Sequence, residues 1–394
     1  MTQDLSPARS PRSVDRGDRP VPAGVTPSSG GARFAALDGI RGLAVVMVVL
    51  GHGFLIWPRS GITQVRFVEG VFLGGSVVVL LVLGGYVITR SLLADTERGG
   101  VDPFIFVVRR LVRIWVQLLP YLAVVWLVAL LVDSLGGSTQ ENRIATTVAL
   151  LTATFNFEAI RNVFGMSWGG SGGLGHLWYL SVLMQAYVVL PLLVLVLRGR
   201  RVLILVLSLA LVAYSTWFRI DLYHDTSTYS ATLHTLARMD GIFLGVAIAA
   251  AEPWLRRRPV AGGVTLLVGL VGWAGLVLSS AEVPEPHHLN LWATGVLLAG
   301  GACCAGVVMG ARGGLTRLLT VRPLVWLGRS SLVVYLWHFS VFWWVGTRLS
   351  DEPTWVKVSV SLVSLLVVTV VADRLVERPT RRWLSTHLLP RRSS

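Results

Sequence analysis

The first long apolar segment of the chain, residues 33–52, reads RFAALDGIRGLAVVMVVLGH. It carries Arg41 and His52 with ten residues between them, which on a helix places the side chains roughly 16 Å apart along the axis. That distance is about half of a hydrocarbon core of roughly 30 Å. Ionisable groups are costly inside a bilayer, so a cation near one face and a titratable base deep in the same helix indicate function. The pattern suits a long anionic substrate whose reactive end must reach the middle of the membrane.

Composition places the whole chain in the membrane class. Of its 394 residues, 53% are hydrophobic and only 14% are charged, and the mean hydropathy is +0.66. A soluble domain has about 25% charged residues. Apolar runs near 20 residues, separated by short arginine-bearing loops, predict an all-α, polytopic transmembrane bundle. About ten spanning helices are expected, near residues 37–57, 71–93, 113–133, 176–197, 202–219, 233–251, 259–280, 289–310, 326–347 and 354–376.

The net charge of +14 comes almost entirely from arginine, since Lys357 is the only lysine. The arginines cluster between apolar runs, as the positive-inside rule expects, and not on a soluble face that could bind nucleic acid. With every cluster cytoplasmic, the protein crosses the plasma membrane ten times and both termini are cytoplasmic. The weaker apolar run 144–157 then cannot cross, and is expected to be re-entrant or interfacial. The glycine-rich region 158–175 is expected to be an external loop.

Three regions follow from composition. Residues 1–32 are rich in Pro, Ser, Gly and Arg and predict a disordered cytoplasmic tail, with no signal peptide before the first helix. Residues 33–383 form the membrane domain, and residues 384–394 form a short basic tail. Cys303 and Cys304 are adjacent within an apolar run, so they predict neither a disulfide framework nor a metal site, and no metal is expected.

The polar residues of the spans fall at two depths. Arg41, Arg110 and Arg113 lie at the predicted inner end, and the i, i+3 spacing of the last two makes a suitable fork for phosphate. Ordinary inside-positive anchoring is the alternative. A second group of polar residues lies toward the outer half or the outer interface: His52, His176, Trp178, Arg238, Asp240 and His338. For these the alternatives are an aromatic anchor, a neutralising ion pair or a histidine bonded within the bundle. Gln185 lies deeper in the fourth span and needs a partner.

Several motifs in order resemble the acyltransferase-3 family of integral membrane O-acyltransferases. The segment from Arg33 to His52 resembles its opening signature, in which an Arg, ten residues and a His recur. Later matches are Gly85–Thr89, Arg110-x-x-Arg113-Ile114, His176-Leu-Trp178 to Pro191, Arg238-x-Asp240, Trp326-Leu-Gly328-Arg329 to Trp337-His338, and Glu377-Arg378-Pro379. The resemblance runs from about residue 33 to residue 382, nearly the whole chain.

The resemblance implies ten helices with cytoplasmic termini. It also implies transfer of an acyl group, acetyl or another short acyl, from cytoplasmic acyl-CoA to a hydroxyl of an envelope polysaccharide, glycolipid or related glycan. Carried over by residue, His52 is the catalytic base and Arg41, Arg110 and Arg113 bind the donor. Asp38 is assigned to the catalytic residues together with His52. It lies about four helical turns from His52, so it is expected to pair with a basic residue.

The chain departs from the family pattern at four positions. Leu183 and Met184 stand where an acidic pair is common, Gly84 where Ser is usual, and Val116 where Pro often ends the third-helix motif. The missing carboxylates bear on recognition of the acceptor. The spacing from Arg41 to His52 is intact.

Direct attack is the simplest mechanism, because one histidine lies at the right depth and no Ser or Cys nucleophile motif is present. Neutral His52 would remove the proton of the acceptor hydroxyl while the three arginines hold the CoA phosphates. A covalent acyl-histidine route stays open. His176, Trp178, Gln185, Arg238, Asp240 and His338 are the candidates for binding the acceptor or stabilising the oxyanion, and sequence alone does not rank them.

Other functions are also compatible with this sequence. A transporter or flippase would also carry polar residues inside a bundle, but it would move substrate without consuming acyl-CoA. A non-catalytic partner protein that keeps the fold is a second rival. Within the enzyme class, the acceptor could instead be a secondary metabolite such as a macrolide sugar. The scarcity of lysine indicates a bacterium with a GC-rich genome.

Overall fold

In the computed structural model, the structure describes residues 29–56, 75–100, 102–132, 140–161, 174–226, 228–279 and 288–387, and every regular element in these ranges is helical. The all-α prediction is confirmed for this part of the chain. The helices are α1 (Ser29–Gly51), α2 (Val77–Glu97), α3 (Pro103–Val132), α4 (Gln140–Leu151), α5 (Phe155–Arg161), α6 (Trp178–Val196), α7 (Arg201–Asp225), α8 (Thr228–Leu233), α9 (Thr235–Leu255), α10 (Pro259–Leu278), α11 (Ala293–Met309), α12 (Gly314–Leu319), α13 (Arg322–Arg329), α14 (Ser331–Arg348), α15 (Thr354–Ala372) and α16 (Arg378–His387).

Within these ranges, nine helical segments are long and apolar enough to cross a membrane. The chain is therefore a multi-pass membrane protein. The nine are Arg33–Gly51, Val77–Glu97, Pro103–Leu131, Gly175–Val196, Arg201–Asp225, Ser230–Leu255, Pro259–Leu278, Asn290–Met309 and Thr354–Leu384. The predicted span 326–347 is divided at Ser330 between α13 and α14, and α14, which carries His338 and Arg348, is not among the nine. The count of ten crossings stays a prediction.

Two helix boundaries differ from the predicted spans in ways that matter for the site. Helix α1 ends at Gly51, and a 3₁₀ turn, His52–Leu55, follows it. His52 therefore lies just after the helix and not inside it. Glycine on both sides of His52 weakens the continuation of the helix. At the other boundary, α3 begins at Pro103, ten residues before the predicted span, so Arg110 and Arg113 lie on the same rigid helix.

The predicted re-entrant run 144–157 consists of two short helices, α4 and α5, separated by a turn in which Ala153 has a φ of 60°. Neither is among the nine candidate spans. At the N-terminus, α1 begins at Ser29, inside the predicted tail, while residues 1–28 lie outside the described residues. At the C-terminus, α16 continues to His387, and residues 388–394 lie outside them. Most of the predicted external loop, residues 162–173, is likewise not covered.

Small residues let the helix backbones touch. The central α9 packs against α2 and α7, and a Cβ atom at Gly85 or Gly245 would overlap a backbone oxygen across the α2–α9 contact. The same close approach joins α1 to α12 and α13. A Cβ at Gly39 would overlap the Leu319 carbonyl oxygen, and a Cβ at Gly328 would overlap that of Asp38. Close backbone packing of this kind is a common way for helices to associate in a membrane. It brings the start of α1 against the end of α13.

Candidate active site

A cavity of about 360 Å³ lies among α1, α2, α3, α6, α13, α14 and α16. Arg110 lies near the ring of Tyr187 at one end, while eight residues earlier on α6 Tyr179 packs against Tyr335. The rise of a helix separates these two ends by roughly 12 Å. The cavity therefore has a basic end and an aromatic end. Its lining residues are Asp38, Arg41, Leu80, Gly84, Val87, Ile88, Arg110, Arg113, Ile114, Tyr179, Leu183, Tyr187, Gly328, Arg329, Ser331, Leu332, Tyr335 and Arg381.

On one side of the basic end, Asp38 holds two guanidinium groups. One of its oxygens lies 3.4 Å from Nη1 of Arg41, and the other accepts a 3.1 Å hydrogen bond from Nε of Arg329. The close approach of α1 and α13 at Gly39 and Gly328 is what makes this pairing possible. Asp38 thus pairs with basic residues, as its distance from His52 led us to expect.

On the other side, the buried carboxylate of Glu377 holds two more guanidinium groups. Arg113 donates to it through Nε (3.0 Å) and Nη2 (2.7 Å), Gln117 donates through Nε2 (2.9 Å), and Arg381 donates through Nε (2.6 Å). Charge-assisted, forked contacts of this type are strong and fix orientation. The cluster therefore presents Arg113 and Arg381 to the cavity in defined positions.

Arg110 is different from the other four arginines of the cavity. Among the described residues no carboxylate forms an ion pair with it, and its guanidinium lies 5.2 Å from the ring centre of Phe106 and 5.9 Å from that of Tyr187. In the part of the chain that the structure describes, the other four lining guanidinium groups are paired with two carboxylates, Asp38 and Glu377. The basic end is thus built to receive an anion, with Arg110 as the cation whose charge is least compensated.

Three histidines predicted as site residues, His52, His176 and His338, meet in one cluster. The ring centres of His52 and His176 lie 5.0 Å and 5.1 Å from that of His338, and His338 Nε2 lies 3.2 Å from His52 Nδ1. Both His338 and His176 are buried. In the described ranges, no group of three His, Cys, Asp or Glu side chains is arranged to hold a metal ion.

Tyr335 connects the cavity to the histidine cluster. Its ring lines the aromatic end of the cavity and lies 5.4 Å from the ring centre of His176 and 5.7 Å from that of His338. Its hydroxyl donates to the backbone carbonyl of His176. His52 is not one of the lining residues, and its Nδ1 contacts Nε2 of His338, whose ring packs against Tyr335. The imidazole predicted as the base is therefore adjacent to the cavity wall and does not form it.

The remaining predicted acceptor-binding residues lie outside the cavity lining. Gln185 donates to the Ala153 carbonyl (2.6 Å) and to Asn156 (3.1 Å), and it accepts a 2.5 Å hydrogen bond from Thr235. These bonds join α6 to the turn between α4 and α5 and to the start of α9. A structural role accounts for the amide, and acceptor binding by Gln185 stays a prediction.

Asp240 and Arg238 also have partners in the bundle. The buried pair Arg219–Asp240 has an N–O distance of 3.2 Å, and Asp240 accepts a further hydrogen bond from the backbone of Gly241. Arg238 donates to the Thr232 carbonyl at 2.8 Å and stacks over Trp178, 5.7 Å from a ring centre. Asp240 thus forms a neutralising ion pair, the alternative considered for it above, and its partner is Arg219. Roles of Trp178, Arg238 and Asp240 in binding an acceptor remain predictions.

Two basic residues of the cavity were not among the predicted donor-binding residues. Arg329 was quoted only within a motif, and Arg381, near the end of the predicted membrane domain, was not singled out. Arg381 follows Glu377 by four residues, a spacing that indicates an ion pair on a helix but not the cavity beside it. Two departures from the family pattern also meet here. Gly84 and Leu183 line one apolar wall, where a Cβ added to Gly84 would lie 3.5 Å from Cδ1 of Leu183.

Comparison with known proteins shows which family the sequence matches. The family model described as an acyltransferase domain, Acyl_transf_3, matches residues 34–374. Peptidoglycan O-acetyltransferase OatA of Listeria monocytogenes is 24% identical over 361 residues, covering 88% of this chain and 56% of the relative. YrhL of Bacillus subtilis is 26% identical (88% and 54% covered), and O-acetyltransferase OatA of Staphylococcus aureus is 22% identical (91% and 59%).

The chain thus spans less than two thirds of the length of these relatives. No solved structure matches it. The family match covers most of the chain, including both the cavity arginines of α1, α3 and α13 and the three clustered histidines. The chain therefore belongs to the acyltransferase-3 family.

Proposed function

We propose that the protein is a membrane O-acyltransferase that moves an acetyl or other short acyl group from acyl-CoA to a hydroxyl of a cell-wall glycan. One observation carries the proposal: a cavity rich in arginine ends against a tyrosine that packs on a cluster of three imidazoles. An anionic donor and a general base are the two requirements of acyl transfer from a CoA thioester. The relatives are named as peptidoglycan O-acetyltransferases or O-acetyltransferases, which supports the glycan as acceptor.

The donor is assigned to the cavity by charge. The phosphates of CoA would bind between Arg41, Arg110 and Arg113, with Arg329 and Arg381 as additional cations, because guanidinium groups bind phosphate in a forked geometry. The less polar pantetheine arm would lie along the apolar wall formed by Gly84 and Leu183. This direction leads from the basic end toward Tyr335.

The orientation follows from the arginine-rich loops. If these loops face the cytoplasm, the basic end opens toward cytoplasmic acyl-CoA, and the turn that carries His52 lies farther across the membrane. Transfer to a glycan hydroxyl at or beyond the outer half would then need no separate carrier for the donor.

The chemistry is direct transfer. Nε2 of His52 takes the proton of the acceptor hydroxyl while the oxygen attacks the thioester carbonyl carbon. The tetrahedral intermediate collapses with cleavage of the C–S bond, and the imidazolium returns its proton to the departing thiolate, giving the O-acyl product and CoA-SH. One base therefore serves both halves of the reaction.

Inverted membrane vesicles that enclose host cell-wall glycan in the lumen, incubated with radiolabelled acetyl-CoA in the medium, test the proposal. The wild type should release CoA-SH and label the glycan, and His52→Ala should do neither while reaching the membrane in normal amount. Arg110→Ala should raise the KM for acetyl-CoA roughly tenfold or more, because a charge-assisted phosphate contact contributes about 1.5–3 kcal/mol.

Arg109→Ala is the matched control, since Arg109 is the neighbouring arginine on α3 but does not line the cavity. It should leave the KM within about twofold of the wild type, a change below 0.5 kcal/mol. Normal labelling by His52→Ala would overturn the assignment of the base. Substrate movement without release of CoA-SH would point instead to a transporter.

A further inference from the structure

The hydrogen bonds of the histidine cluster identify which nitrogen of each ring carries the proton. A backbone carbonyl can only accept a hydrogen bond, so an imidazole nitrogen bonded to one must be protonated. In a neutral imidazole the other nitrogen then holds the lone pair. Each ring of the cluster has at least one such carbonyl contact.

His338 is constrained by its own helix. Its Nδ1 lies 2.8 Å from the Tyr335 carbonyl oxygen and 3.2 Å from that of Val334, so Nδ1 carries the proton. In the neutral ring Nε2 is therefore an acceptor, and it faces Nδ1 of His52 at 3.2 Å.

His52 meets two acceptors at the same nitrogen. Its Nδ1 lies 2.9 Å from the Val48 carbonyl oxygen and 3.2 Å from the lone pair of His338 Nε2. A proton on Nδ1 satisfies both contacts, whereas a lone pair there would repel both. Neutral His52 is therefore protonated on Nδ1, and its Nε2 is the basic nitrogen.

His176 also donates a hydrogen bond to a backbone carbonyl, but it takes no part in the hydrogen bond between His52 and His338. Its Nε2 donates to the Leu336 carbonyl at 3.2 Å, and its ring stacks on Phe339 with centres 5.0 Å apart. Its neutral form thus uses its only N–H on the backbone. The ring centres of His52 and His176 each lie about 5 Å from that of His338, so a charge on His338 would oppose a charge on either neighbour.

We propose that His338 is a positioning residue that holds His52 in the tautomer required of a base and accepts a hydrogen bond from the imidazolium formed in the reaction. The inference rests on the proposed function and adds a role to a residue first considered for acceptor binding. His52 receives the acceptor's proton on Nε2, and its Nδ1–H stays hydrogen-bonded to Val48 and His338 throughout. No proton passes to His338, whose Nδ1–H stays on the backbone carbonyls.

Two substitutions separate the acceptor role from packing. His338→Gln keeps an amide oxygen near the position of Nε2, while His338→Leu has similar bulk and no acceptor. We expect His338→Leu to lower kcat roughly 100-fold, as loss of an oriented general base does, with the KM for acetyl-CoA within about twofold. His338→Gln should recover about a tenth or more of the wild-type kcat. His338→Met is the second apolar variant if His338→Leu does not fold.

Ser340→Ala is the matched control on α14. Ser340 is buried two residues from His338 and is hydrogen-bonded to the hydroxyl of Tyr121 at 2.7 Å. Its loss should lower the melting temperature without lowering kcat more than about twofold. A structural role for His338 predicts the opposite pattern, in which His338→Gln and His338→Leu lose activity equally or lose donor binding as well.

A readout independent of activity is the ¹⁵N spectrum of the protein with labelled histidine in lipid bilayers. The chain has eight histidines, so the His52 signals can be assigned by difference with His52→Ala. The expected result is a neutral ring protonated on Nδ1 in the wild type, with a mixture of tautomers in His338→Leu.

A proton on Nε2 of His52 in the wild type would overturn the inference. So would full kcat in His338→Leu alongside inactive His52→Ala. If His52 showed the expected tautomer but the wild type did not consume acetyl-CoA, the proposed function would be wrong. The hydrogen bonds assigned between His52, Val48 and His338 would still be supported.

Discussion

At the scale of single residues, the basic end of the cavity depends on how its guanidinium groups are held. Arg113 uses Nε and Nη2 together on one oxygen of Glu377, which leaves Nη1 to point elsewhere. A lysine has its three donors on one nitrogen, so it lacks the planar, spread donors by which a guanidinium can bind a carboxylate on one side and a ligand on another. Arginine and lysine are therefore not equivalent at this position.

Arg113→Lys should raise the KM for acetyl-CoA roughly tenfold and leave kcat within about twofold, because it weakens donor binding without touching the histidines. Steady-state kinetics in vesicles measure both constants. Arg109→Lys serves as the control on the same helix. An unchanged KM for Arg113→Lys would remove Arg113 from the donor site.

Gly84 faces Leu183 across the apolar wall of the cavity, and the space between them admits one methyl group in ordinary contact. Gly84→Ala should therefore keep kcat/KM for acetyl-CoA within about threefold. Gly84→Leu fills the passage and should lower kcat/KM at least tenfold, which corresponds to about 1.4 kcal/mol. Equal activity of the two variants would show that the pantetheine arm takes another route.

At the scale of helices, the site depends on close backbone packing. The contact of α1 with α12 and α13 has no room for a Cβ atom at Gly39 or Gly328, and it sets the pair between Asp38 and Arg329. The break at Ser330 lets α13 lie against α1 while α14 carries Tyr335 and His338 into the bundle. Thus α13 contributes Arg329 to the basic end, and α14 contributes Tyr335 and His338 to the histidine end.

Gly328→Ala should destabilise the protein by about 1–3 kcal/mol, the usual cost of overpacking, and should raise the KM for acetyl-CoA because α13 must move away from α1. Gly275→Ala on α10 is the control, since a Cβ there meets nothing within 4 Å. It should be neutral or slightly stabilising. Thermal unfolding in detergent compares the two, and equal melting temperatures would contradict the packing argument.

At the scale of the whole molecule, the arginine pattern predicts which end of each helix faces the cytoplasm. The helix α7 has 25 residues and is roughly 37 Å long, enough to cross the hydrocarbon core. Arg200 precedes it and Thr226 follows it, and both are exposed. The two native cysteines are buried, so introduced cysteines can be read separately.

A membrane-impermeant maleimide applied to intact cells should label Thr226→Cys and not Arg200→Cys, because the basic turn before α7 is predicted to be cytoplasmic. In inverted vesicles the labelling should be reversed. The wild type, whose cysteines are buried, gives the background. Labelling of Arg200→Cys from outside the cell would invert the orientation and with it the proposed supply of donor from the cytoplasm.

Hydropathy and charge along the chain were enough to predict an all-α membrane bundle and the approximate position of most of its spans. They also singled out His52, His176 and His338, and Arg41, Arg110 and Arg113, as polar residues in an apolar setting. These are local properties, because each segment partitions between lipid and water largely on its own composition. The end of α1 at Gly51 and the break at Ser330 were missed because the apolar runs continue across both, although the glycines beside His52 are a local signal.

Tertiary structure alone decided which of these residues meet. His338 lies 286 positions from His52, and Arg329 lies 291 positions from Asp38, yet both pairs are in hydrogen-bond contact. The same packing pairs Asp240 with Arg219 and places Gln185 in a hydrogen-bond network that joins helices. Such pairings depend on which helix backbones can approach closely, and that is a property of the assembled bundle that no single segment carries.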